Sequence, residues 1–204
     1  MSKVGAVAGF TAPVVAFVCM LSAIVIYPQF SWTNNALSDL GVVSGATQWL
    51  FNIGLCAAGG LVLIFAVFGL YGFVGKNRFG QGGSAVFAFA SVALILIGIF
   101  NESFMPIHYA VSVGFFVLVP LALFILTGSF YLNRQHSTAL FTVAIGIIAA
   151  LPWILQFTLN YAPNVAIPET VSALAVSAWT IALSTKILKT SSTERDYSKP
   201  AMVK

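Results

Sequence analysis

Charged side chains in this chain stand at or beyond the ends of long apolar runs, and that placement limits the folds open to it. A helix needs about 20 mostly apolar residues to cross the hydrocarbon core of a bilayer. Six runs reach or approach that length: roughly Val4–Tyr27, Trp49–Val74, Ser84–Phe100, Ile107–Leu132, Thr138–Tyr161 and Glu169–Leu188. Of the 204 residues, 7% are charged and 59% hydrophobic, whereas a soluble domain carries roughly 25% charged residues. A water-exposed surface cannot be built from that inventory. The expected fold is all-α: a polytopic transmembrane bundle of six helices forming a single domain over residues 1–188. The polar stretch 189–204 reads as a disordered cytoplasmic tail.

Orientation follows from the positive charges. With the N-terminus inside, the inner segments hold all nine lysines and arginines, while the segments carrying Asp39, Glu102 and Glu169 hold none. By the positive-inside rule, both termini are expected in the cytoplasm of a multi-pass cell-membrane protein. A net charge of +4 is therefore orientation signal, and no nucleic-acid partner is expected. Cys19 and Cys56 fall inside apolar runs and read as small packing residues. Gly5 and Gly9 form a small-xxx-small pair suited to close helix approach. The glycine-rich second run permits the same, within the chain or in a homo-oligomer. Pro13, Pro120 and Pro152 should loosen or kink their helices.

The long polar interruption is Tyr27–Gly41, YPQFSWTNNALSDLG. It should contain a short helix lying as a lid at the outer end of the bundle, with Thr33 or Asn34 capping its start and Gly41 as a left-handed stop. Polar residues of the outer helix ends and loops converge there: Asp39, Asn52, Asn101, Glu102, His108, Gln156 and Asn160 are the candidate ligand-binding set. Unpaired polar groups are costly in lipid, so these residues should pair with one another or with a ligand. Gln156 and Asn160 are four apart and share a helix face; an interhelical hydrogen bond is the alternative for Gln156. Ser38–Asp39 could instead cap the next segment. One histidine on that face is too few for a zinc site, and no metal or other cofactor is expected.

At YPQFSWTNNALSDLG, followed by Trp49-Leu-Phe-Asn52-Ile-Gly54-Leu and Gly98-Ile-Phe-Asn101 with His108, the chain resembles the prokaryotic multipass family called domain of unknown function 998. The likeness covers about the first 130 residues. It implies a six-helix integral membrane protein and brings no established activity.

Three functions fit these residues. The favoured one is a non-enzymatic membrane protein whose partners are membrane lipids or a small amphiphile, bound at the outer polar cluster. A small transporter or channel subunit would use the same residues with Pro120 and Pro152 as hinges, but lacks a charged group near mid-membrane. An intramembrane hydrolase would use Asp39 or Glu102 with His108 as acid–base groups.

Overall fold

The computed structural model describes residues 2–198, with side chains described to Thr190. Six helices are long and apolar enough to cross a membrane among these residues. They are α1 (Lys3–Ile26), α2 (Ala46–Val74), α3 (Arg78–Ile99), α4 (Ile107–Leu132), α5 (His136–Leu159) and α6 (Ala166–Ser198). Two short 3-10 turns, Leu37–Gly41 and Glu102–Phe104, lie in the connections.

The boundaries follow local chemistry. The Ser2 side chain accepts from Gly5 N–H to start α1. Asn77 does the same for Gly80 at 3.0 Å, so α3 begins before the glycine pair Gly82 and Gly83 and reaches 22 residues. The third apolar run therefore gains its length at this end, and Asn101–Phe104 stays outside the helix. At its start, α6 includes three residues that the apolar run did not, because Ala166 N–H is held by Asn35 O at 3.0 Å. Glu169 thus sits inside a helix rather than at its first position. At the other end α6 continues to Ser198, where sequence reading placed the tail from residue 189; residues 199–204 of that tail lie outside the described residues.

Helices adjacent in sequence are adjacent in space, and α6 returns to pack on α1, so the six form a closed ring. Small residues line the α1 side of this packing: Gly5, Ala6, Ala8, Gly9 and Ala12 are all buried. Opposite them, α2 carries a π-helical turn at Phe65–Leu70. The centre holds Phe65, Phe87 and Trp179, in edge-on contact with centroids 5.3–6.3 Å apart. Such aromatic pairs contribute beyond simple area burial. The Trp179 indole N–H donates to Thr142 Oγ1 at 3.0 Å, which satisfies a polar group that is fully buried. Large apolar side chains such as Val25, Leu140 and Phe157 point outward and are highly exposed, an arrangement suited to lipid rather than water.

The two ends of the ring differ in charge. Asp39, Glu102 and Glu169 lie at one, the acidic end; Lys3, Lys76, Arg78, Arg134 and Lys186 lie at or near the other. At the basic end, Lys186 Nζ donates to Gln135 Oε1 at 2.7 Å and to Thr138 Oγ1.

Candidate functional site

The acidic end is covered by the connection from α1 to α2, and its polar residues are consumed largely in shaping it. Ser31 N–H donates to Asn35 Oδ1 at 2.9 Å, and Asn34 N–H to Ser31 Oγ at 3.3 Å. The Asp39 carboxylate accepts from the Asn35 side-chain amide and from Ala36 N–H at 3.1 Å. Asp39 therefore closes the start of its own 3-10 turn, where otherwise unpaired N–H groups favour a negative charge. The expected caps, Thr33 and Asn34, do not serve that turn: its flanking residue is Ala36. Nor is Gly41 a left-handed stop; the positive φ in this connection belongs to Gly45, at 94°.

Gly41 has a different role. A Cβ there would lie 2.6 Å from Asn52 Oδ1, so glycine permits the close approach of α2. Its carbonyl oxygen accepts from Asn52 Nδ2 at 3.0 Å and from Asn101 Nδ2 at 3.1 Å. One backbone oxygen thereby ties the connection to both α2 and the end of α3. The α5–α6 connection adds three more ties: Asn164 N–H to Thr33 O, Asn164 Nδ2 to Asn34 O, and Ala166 N–H to Asn35 O, each at 3.0–3.1 Å.

Two carboxylates reach the 3-10 turn from elsewhere in the chain. Glu169 Oε2 accepts from Leu37 N–H at 2.6 Å, and Glu102 Oε1 accepts from Ser38 Oγ–H at 2.7 Å. Burial pushes the Glu102 carboxyl above its ordinary range and the nearby Asp39 charge adds to this, while the Ser38 hydrogen bond and His108 pull the other way. Leu37 and Leu40 turn inward and pack on Met20, Ala23, Phe51 and Ala166.

Beneath Leu37 and Ser38 lies a cavity of about 120 Å³ enclosed by α1, α2, α3, α4 and α6. Its α6 wall runs from Glu169 to Thr180, about 16 Å of helix axis at ~1.5 Å per residue. That depth is roughly half the ~30 Å hydrocarbon thickness of a bilayer. The walls are mostly apolar, with Pro13, Phe17, Leu55, Leu94 and Phe115 prominent, and Phe87 stands at the deep end. Polar lining is confined to hydroxyls and one carboxylate: Glu169 is the ionisable lining residue among the described residues. It is 8% exposed.

None of the seven residues proposed from sequence lines this cavity. Asp39, Asn52, Asn101 and Glu102 meet at the covering connection, as described. His108 is buried beside them, with Nδ1 on Phe100 O at 2.7 Å and Nε2 facing Ser112 Oγ at 3.5 Å. No hydrogen bond joins it to Asp39 or Glu102 among the described residues. Gln156 does not reach across to another helix; it donates to Ala162 O at 2.8 Å and accepts from Ala162 N–H at 3.3 Å, folding the α5–α6 connection back on α5. Its bond to Asn160 Oδ1 at 3.3 Å places the two on one face. Asn52 and Asn101 also border a second recess of about 290 Å³ between α2 and α3, open at the exposed Trp49, Ile53 and Ile99. No three His, Cys, Asp or Glu side chains are placed to hold a metal among the described residues.

Over residues 10–186 the chain matches the family described as Protein of unknown function (DUF998). The chain belongs to that family. The match runs from the first turns of α1 to Lys186 in α6, so it takes in all six apolar helices rather than the first four alone. No curated protein matches the chain, and neither does any solved structure. In this DUF998 protein the three sequence pieces that carry the likeness are brought together. Leu37–Gly41 is the 3-10 turn, and the two Phe-Asn pairs supply Asn52 and Asn101 to the Gly41 carbonyl. Glu169, which stood outside the set proposed from sequence, is the carboxylate that lines the cavity, within a spanning helix. An ionisable side chain so placed is the starting point for a functional reading.

Proposed function

We propose that this DUF998 protein binds a lipid or small amphiphile, with one apolar chain in the cavity and the polar end beneath Leu37 and Ser38. The observation that carries the reading is a narrow, mostly apolar cavity about one leaflet deep that has a carboxylate and a hydroxyl at one end. Apolar pockets with a few convergent polar groups are the usual form of small-molecule sites. Phe65, Phe87 and Trp179 fill the bundle below it, and a blind pocket favours holding a ligand over conducting one. In this reading Ser38 and Glu169 meet the polar end. Asp39, Asn52, Asn101, Glu102, His108, Gln156 and Asn160 shape the frame around it. The charge asymmetry supports an acidic end that faces the outside of the cell membrane and termini that face the cytoplasm.

Native mass spectrometry of the mildly purified protein tests the reading. Ala173 lines the cavity and is half-buried, so Ala173→Phe fills the space at modest cost. The wild type is expected to carry a retained amphiphile that Ala173→Phe lacks. A bare wild-type spectrum, or equal retention by both proteins, would remove the basis for a ligand in this cavity.

A further inference from the structure

We infer that the cavity selects a single-chain amphiphile with a cationic amine head, held by Glu169. The inference rests on the cavity reading above and adds the chemistry of the head. Glu169 is more than nine-tenths buried and lines the cavity close to its covered end. Among the described residues one hydrogen bond reaches it, from Leu37 N–H to Oε2. Its second oxygen has no donor there. A buried carboxyl is ionised only where donors or a cation compensate it, and a cation in the cavity would supply that compensation.

The surroundings set the sign of that group. Glu102 is bonded to Ser38 of the turn, and Asp39 to Ala36, which flanks it. The lysines and arginines of the described residues lie away at the opposite end. A phosphate or carboxylate head would meet the Glu169 carboxyl, with Asp39 and Glu102 bonded to the covering segment beyond it, and no lysine or arginine on the lining. A hydroxyl head could donate one hydrogen bond but brings no charge to favour the ionised carboxylate. An ammonium supplies both a donor and a charge, and charge-assisted bonds are the stronger kind. The Ser38 and Ser112 hydroxyls, also on the lining, can accept its remaining protons. The cavity admits one chain in this arrangement, because its cross-section is set by residues as large as Phe17, Phe115 and Phe116 on facing helices.

Trp179 makes a reporter for the test. It is fully buried, and packs at 5.3 Å centroid distance on Phe87, which lines the cavity's deep end. Replacing Trp32, Trp49 and Trp153 by Phe leaves it the sole tryptophan of the original four. The full-length protein in phosphatidylcholine vesicles is then titrated with bromine-terminated dodecylamine, dodecanol and dodecanoate, whose chains place bromine near Trp179 when the head is at Glu169. The amine is expected to quench at about a tenfold lower mole fraction than the alcohol, the scale of one charge-assisted hydrogen bond, and the carboxylate least of all. Glu169→Gln keeps an acceptor for Leu37 N–H and should erase the difference between amine and alcohol. Equal quenching by all three heads would overturn the head-group inference while leaving a chain in the cavity. Quenching by none, or quenching that persists in Ala173→Phe, would overturn it together with the cavity reading. An amine preference unchanged in Glu169→Gln would move the head away from Glu169.

Discussion

Glu102 is placed between opposing influences. Its carboxyl is half-buried and near Asp39, both of which favour the protonated form, whereas the Ser38 hydroxyl and His108 favour the charged form. Burial is the largest of these, and the carboxyl ionises above its ordinary value of 4.5. A raised folded-state value means that the proton is held more tightly when the connection is in place. That contribution is complete below 4.5 and is lost as pH rises through the shifted value. Glu102→Gln removes the titration and retains an acceptor for Ser38. Thermal unfolding in mild detergent should therefore fall less steeply with rising pH in Glu102→Gln than in the wild type. Parallel profiles would mean that Glu102 does not couple its proton to folding. Which carboxylates matter was only partly legible in the sequence. Asp39 stood out as the acidic residue of the polar interruption, yet its carboxylate closes its own turn. Glu169 read as the margin of an apolar run, since the bond that starts α6 earlier comes from Asn35, far away in sequence.

At the scale of elements, the contact of α1 with α2 shows how glycine spacing becomes packing. A Cβ on Gly5 would run into the backbone of Phe68 and Gly69, and one on Gly9 into the Phe65 ring and Ser184 Oγ. Gly69 lies within the π-helical turn, whose backbone thus packs directly against α1. The Gly5–Gly9 pair was legible because four-residue spacing puts both on one face. The π turn was not, because Trp49–Val74 reads as one continuous apolar run and nothing local marks the extra residue; such turns often accompany functional or closely packed positions. Gly60 is the contrast, with open space where its Cβ would stand. Gly5→Ala should lower stability by about 1–3 kcal/mol through overpacking. Gly60→Ala should leave it unchanged or raise it by about 0.5–1 kcal/mol through helix propensity. Equilibrium unfolding in mixed micelles distinguishes the two; equal effects would mean that the α1–α2 approach relaxes without cost.

For the whole molecule, the ring order and the charge asymmetry combine into one geometric statement. Helices that alternate in direction and close on themselves bring every second connection to the same end. The acidic connections then gather around the covered mouth of the cavity, and the basic ones around the other end, beyond the central Phe65, Phe87 and Trp179 cluster and near Lys186. Ring closure was not legible from the apolar runs, which specify six spans but not which faces meet; short connections implied only that successive helices are neighbours. Orientation in the membrane is proposed from the charges alone, and it decides from which side a ligand could reach Glu169. In a background with Cys19 and Cys56 replaced by Ala, single cysteines at two exposed serines separate the ends: Ser103→Cys at the acidic end and Ser137→Cys at the basic one. With intact cells, a membrane-impermeant maleimide should label Ser103→Cys and spare Ser137→Cys until the membrane is permeabilised. The reverse pattern would turn the bundle over. The mouth of the cavity would then open to the cytoplasm, and any amphiphile would have to arrive from the inner leaflet.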